Sequence, residues 1–121
     1  MKLKDLFKEK EHLPGPYETL VMTAIELLGK DAYSLKIQEK IEQMTGKTQN
    51  LGKIYVTLDR LERKKGYLAG RTDESNSHPR RYFRLLQPGA AALHASMATS
   101  RRAIEELDEL GFFKLWKRKR I

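Results

Sequence analysis

The sequence predicts a mainly α-helical fold with one small β-hairpin, and three features carry that prediction. Apolar residues recur at helical spacing through residues 16–28, 34–45 and 51–65. The period then becomes strand-like in two short arms, 67–72 and 80–86, around a polar tip. From Pro88 helical spacing returns, as a repeat of threes and fours.

Taken in order, Leu3, Leu6 and Phe7 predict a short amphipathic helix over residues 2–11, stopped by Pro14-Gly15-Pro16. A helix from Pro16 presents Leu20, Val21, Ala24, Ile25, Leu27 and Leu28 as a broad apolar face, with Gly29 as its left-handed cap. A turn through Lys30, Asp31 and Ala32 leads to a helix around 34–45. Its expected buried residues are Leu35, Ile37, Ile41 and Met44, and Gly46 is its cap. Asn50 is suited to cap the next helix.

That next helix, 51–65, is the most informative segment. Leu51, Ile54, Leu58 and Leu61 form one core stripe at offsets of three and four. The opposite side presents Gly52, Lys53, Val56, Arg60 and Arg63. A helix that buries one side and shows Lys, Arg and Gly on the other suits a DNA major groove. The hairpin that follows carries Arg71, Arg80, Arg81 and Arg84 on its arms and a tip at 73–79. Pro88 then sits in the first turn of a long helix, where its missing N–H costs nothing. Along that helix Ala90, Leu93, Met97, Ser100, Ile104 and Leu107 make a short heptad-like seam.

Charge is distributed in a way that bears on function. The 121 residues carry 24 Lys+Arg against 16 Asp+Glu, a net charge of +8. Residues 47–84 hold a net +6 and residues 114–121 a net +5, so the remainder is slightly acidic. Two concentrated basic segments match a polyanion footprint, although such a run is equally a solvated face. With no Cys there is no disulfide framework, thiolate metal site or cysteine nucleophile. The histidines at 12, 78 and 94 lie far apart with no carboxylate at ligand spacing, so neither metal nor cofactor is expected. No nucleophile–base pair or phosphate-cradling loop stands out, which argues against an enzyme. No apolar run nears membrane-span length, and a cytoplasmic location without stable membrane association is expected.

Three helices, the third basic on its outer face, followed by an arginine-bearing hairpin, are the order of a winged helix-turn-helix. The expected organisation is an N-terminal helical extension at 1–13 and a winged helix-turn-helix DNA-binding domain at 14–87. A dimerisation helix at 88–110 and an aromatic–basic tail at 111–121 complete it.

Particular residues then carry a family resemblance. Ala32-Tyr33-Ser34, the run from Leu51 to Glu62, and Arg80-Arg81-Tyr82-Phe83-Arg84-Leu85-Leu86 with Pro88-Gly89 together resemble the PadR family of bacterial transcriptional regulators. The C-terminal region is similar to the compact branch with one dimerisation helix. The resemblance implies a homodimeric repressor with recognition helices in successive major grooves of a partly palindromic double-stranded operator. Such regulators often release DNA when a small-molecule effector binds. Two departures stand out: the wing tip at 73–78 lacks a Gly-rich run, and the tail at 111–121 fits no familiar pattern.

The expected DNA contacts are Lys53 and Arg60 on the outer helix face, with Arg63, Gly52 and Val56 beside them. Asn50 is a cap that also faces phosphate, and Thr57 from the same segment is placed in the set. Tyr55 is either a hydroxyl on phosphate or a half-buried ring. Arg80 and Arg81 are expected as wing phosphate contacts, or else as a charge cluster with Asp73 or Glu74. Leu93, Met97, Ser100, Ile104 and Leu107 are the expected dimer interface, with Met97 lining any effector pocket there. Phe112, Phe113, Leu115 and Trp116 pack on Leu3, Leu6 and Phe7, or the basic end adds phosphate contacts, or the segment touches membrane. A different class of function also stays open: a winged-helix adaptor binding an acidic protein or membrane surface through its basic faces.

Overall fold

The computed structural model describes residues 13–75 and 77–120, so the expected helix over 2–11 lies outside them. Helix α1 (Pro16–Leu28) opens on its proline, and the N–H of Gly15 donates to Oε1 of Glu18 at 3.2 Å. Val21, Met22, Ala24 and Ile25 are buried, but Leu27 is exposed. Two residues beyond Ile25 is about 200° round a helix, so Leu27 belongs to the outer side. Gly29 takes a positive φ of 59° with ψ −118°, which is not the expected left-handed cap. The chain instead tightens into a 3-10 turn over Gly29–Asp31.

Helix α2 (Ser34–Thr45) buries Ile37 and Ile41 and ends at Gly46 in the left-handed region, φ 70° and ψ 14°. Leu35 and Met44, expected in the core, are exposed. Leu35 stands on the far side of the helix from Ile37, and Met44 lies in the last turn. Helix α3 (Leu51–Asp59) starts at Asn50, whose Oδ1 accepts the N–H of Lys53 at 3.1 Å. It does not continue as α-helix to 65. Arg60–Lys64 form a π turn, which widens the helix by one residue per turn and closes with the Lys65 N–H on the Arg60 carbonyl at 3.1 Å.

Strands β1 (Leu68–Asp73) and β2 (Arg80–Leu85) pair antiparallel, with Leu68 opposite Leu85 and Asp73 opposite Arg80. Strand alternation therefore puts Gly70, Thr72, Arg81 and Phe83 on one face and Arg71, Arg80, Tyr82 and Arg84 on the other. The chain before α2 joins this hairpin. The Phe83 N–H donates to the Ala32 carbonyl at 2.9 Å, and Tyr33 bridges Tyr82. One buried cluster holds the domain together, drawn from α1, α2, α3, the π turn and the hairpin root.

Helix α4 (Gln87–Glu109) leaves the wing with Pro88 in its first turn. Gly89 is buried, and a Cβ there would strike the carbonyl oxygen of Tyr67, so helix and wing root meet backbone to backbone. Ala92 and Leu93 pack against the core of their own chain. Leu93, expected on the dimer seam, is thus half-buried within its own chain, near Ser96, whose hydroxyl lies 3.4 Å from that of Thr19. Residues 101–110 are all exposed. Gly111, at φ 75°, breaks the rod, and the expected tail continues as helix α5 (Phe112–Arg120). Among the described residues no helix is long and apolar enough to cross a membrane.

Candidate nucleic-acid interface

The core stripe of α3 determines what its other side shows. Ile54, Leu58 and Leu61 are fully or almost fully buried, which turns Gly52, Lys53, Val56, Arg60 and Arg63 outward. Val56 is 59% exposed, an unusual setting for a branched apolar side chain on a lone domain. Asn50 is exposed while it caps the helix, so its amide borders the same face.

Thr57 does not belong to this face. It is 4% exposed, and its hydroxyl donates to the Lys53 carbonyl at 2.8 Å. The spacing explains the correction: three residues after Ile54 and four before Leu61 is the middle of the core stripe. Tyr55 is exposed rather than half-buried, and its hydroxyl accepts a hydrogen bond from Ser34 at 3.3 Å. That bond joins the start of α2 to the outer side of α3.

The cations differ in how they are held. Lys53 places its ammonium 4.1 Å from the ring centre of Tyr17, whose own hydroxyl donates to Gln49 at 3.3 Å. Burial raises the pKa of that phenol. Arg63 pairs with Asp59 at 2.9 Å, one turn back on the same exposed helix side. Arg60 shows no such pair among the described residues.

On the wing, Arg80 lies 4.5 Å over the ring of Tyr33 and Arg71 5.2 Å over that of Tyr82. Arg81 departs from expectation. It turns back to Glu62 in the π turn, at 2.6 Å, rather than to Asp73 or Glu74. Asp73 is held instead by the hydroxyl and the N–H of Ser75, which lower its carboxyl pKa. An open cleft of about 710 Å³ runs between α2, α3 and β2, lined by Tyr33, Leu35, Tyr55, Arg63 and Arg80 among others.

Reading the sequence missed Tyr17, Tyr33 and Glu62. Nothing local marks the two tyrosines, because their partners are distant in sequence. Glu62 did have a signal in its partner: Arg81 alternates with Phe83 and Leu85, so it had to share their inward face. Among the described residues no three His, Cys, Asp or Glu side chains gather where a metal ion would sit.

The far end of the chain presents apolar side chains alongside its charged ones. Met97, Ile104, Leu107, Leu110, Phe112, Phe113, Leu115 and Trp116 are all exposed. Ser100 is exposed among them. The residues they were expected to meet, Leu3, Leu6 and Phe7, lie outside the described residues.

Comparison with known proteins agrees with this architecture. Residues 24–95 match the model of the transcriptional regulator PadR-like family. No curated protein sequence matches the chain. Among solved structures, a PadR family transcriptional regulator from Eggerthella lenta is 23% identical, over 89% of this chain and 91% of that one, with a TM-score of 0.62. A PadR-like transcription factor from Bacteroides fragilis is also 23% identical, over 88% and 98%, at 0.62. Bacillus subtilis PadR, solved in complex with operator DNA, is 18% identical, over 86% and 69%, at 0.54. At these identities the likeness establishes a shared fold.

Proposed function

The chain belongs to the PadR-like family of transcriptional regulators, a family of regulators and not of enzymes, and on that premise we propose that it is a homodimeric repressor of a partly palindromic operator. The observation that carries the reading is the outer side of α3, where Gly52, Lys53, Val56 and Arg60 stand exposed opposite the buried Ile54, Leu58 and Leu61. Arg60 offers a bidentate partner for guanine, Val56 an apolar partner for a thymine methyl, and Gly52 lets the helix approach closely. Asn50, Lys53, Tyr55 and Arg63 border the groove and hold phosphates, and Arg80 does the same from the wing.

Two copies join through Met97, Ser100, Ile104 and Leu107, extended by the apolar side of α5. A lone chain rarely exposes so many large apolar side chains along one stretch. An effector, where one acts, lodges between the paired long helices beside Met97, whose flexible thioether adapts to varied shapes. The cytoplasm is the compartment this role requires.

A salt titration tests the reading. With roughly 6–10 phosphates neutralised per dimer, affinity for an operator should fall at least about 10³-fold between 50 and 200 mM salt. Affinity indifferent to salt would contradict the proposed contacts.

A further inference from the structure

We propose that Glu62 and Arg81 form a clamp that sets the wing against the recognition helix, so that Arg81 is a positioning residue of the DNA-binding surface and not a phosphate contact. Its functional consequence rests on the DNA-binding reading above. The pair itself does not.

Three ion pairs occur among the described residues, and only this one joins segments distant in sequence. Lys36–Glu39 and Arg63–Asp59 join residues three and four apart on one helical run, and both partners of each are exposed. Such local surface pairs position nothing. Glu62 and Arg81 are 19 residues apart, the contact is 2.6 Å, and the Glu62 side chain is only 20% exposed.

The guanidinium is fixed on its other sides as well. Nη1 donates to the hydroxyl of Thr72 on the opposite strand at 3.2 Å. The group lies 5.8 Å over the ring of Phe83, its inward neighbour on β2. Below it is Gly70, where a Cβ would come within 2.5–2.7 Å of the guanidinium atoms and would displace them from this position. The Arg81 side chain is 47% exposed, so it is contact with a carboxylate, a hydroxyl and a ring, not burial, that orients its guanidinium. It therefore fixes the strand that carries it.

Glu62 lies within the π turn, at the point where α3 gives way to the wing. The hairpin leaves the π turn through only Lys65, Gly66 and Tyr67, and the clamp ties the two across that short connection. A recognition helix and a wing engage one duplex together only if the angle between them is held.

The test uses the full chain and charge exchange. Glu62→Lys and Arg81→Glu alone should each weaken operator binding by about tenfold or more, and the double exchange should return it to within about threefold of the parent. Arg81→Gln should leave the slope of log K against log salt unchanged, because no phosphate contact is lost. If Arg81 instead holds phosphate, the double exchange stays weak, Glu62→Lys binds no more weakly than the parent, and Arg81→Gln lowers the slope by about one. Either set of results decides the matter.

Amide hydrogen exchange without DNA provides an independent readout. Exchange in 68–73 and 80–85 should quicken in Glu62→Gln and in Arg81→Gln while that of α1 does not change. Unaltered wing exchange in both folded variants would overturn the clamp even if operator binding proceeds as proposed. A parent protein that binds no operator, with quickened wing exchange in the variants, would retain the clamp and overturn the DNA reading alone.

Discussion

Replacing Met97 and Ile104 together with lysine is expected to leave a folded monomer that has lost specific DNA binding. Both side chains are exposed in the single chain, Met97 at 40% and Ile104 at 53%, so neither substitution disturbs the domain's own core. Leu93 would be a poor choice for this test because it packs against that core, and a charge there would confound association with folding. Between two copies the lysines would be buried in symmetric pairs, a cost of several kcal/mol per ion where no acid compensates. With the dimer gone, each half-site must be found separately. The effective concentration that links the two binding events is lost, which lowers affinity by roughly 10²–10⁴-fold. Sedimentation velocity and anisotropy on the same samples check both halves of the result. A variant that remains dimeric would move the interface to α5.

The second large effect is expected at Arg60. It stands on the exposed side of α3, with no ion pair among the described residues, whereas its neighbour Arg63 is paired with Asp59. A guanidinium so placed is available to the O6 and N7 acceptors of a guanine. Arg60→Ala should cost about 1–3 kcal/mol at particular operator positions and relax the preference there. Arg80→Ala, on the wing, should weaken all sequences alike and reduce the salt slope by about one. Competition titrations with operators altered one base pair at a time separate the two behaviours. Identical profiles for the two variants would remove the division between base reading and phosphate holding.

The fold was legible in the sequence wherever one periodicity dominated. Ile37 with Ile41, and Ile54 with Leu58 and Leu61, lie on helix stripes that the structure buries, and the hairpin arms lie within a residue or two of their expected bounds. Misplacements arose at the edges of those stripes. Leu27 and Leu35 each stand two residues from a buried isoleucine, on the opposite side of the helix, and are exposed despite their hydrophobicity. Thr57 is the reverse case: expected among the DNA contacts, it is buried where its spacing on the core stripe puts it.

The candidate surface was less legible than the fold, for a physical reason. The outward face of α3 follows from local geometry, since burying one side of a helix exposes the other. What holds each cation does not. Tyr17 under Lys53, Tyr33 under Arg80 and Glu62 against Arg81 are contacts between elements that meet only once the chain has folded. The π turn at Arg60–Lys64 was equally hidden, because these residues would serve an ordinary α turn just as well.

The most direct test of a sequence-specific dimeric regulator is selection of bound DNA from a random library by the full chain at near-physiological salt. Enrichment of an inverted repeat is predicted, with half-sites about one helical turn apart, the separation at which two recognition helices enter successive major grooves. A folded dimer that enriches no sequence over bulk DNA would contradict the account.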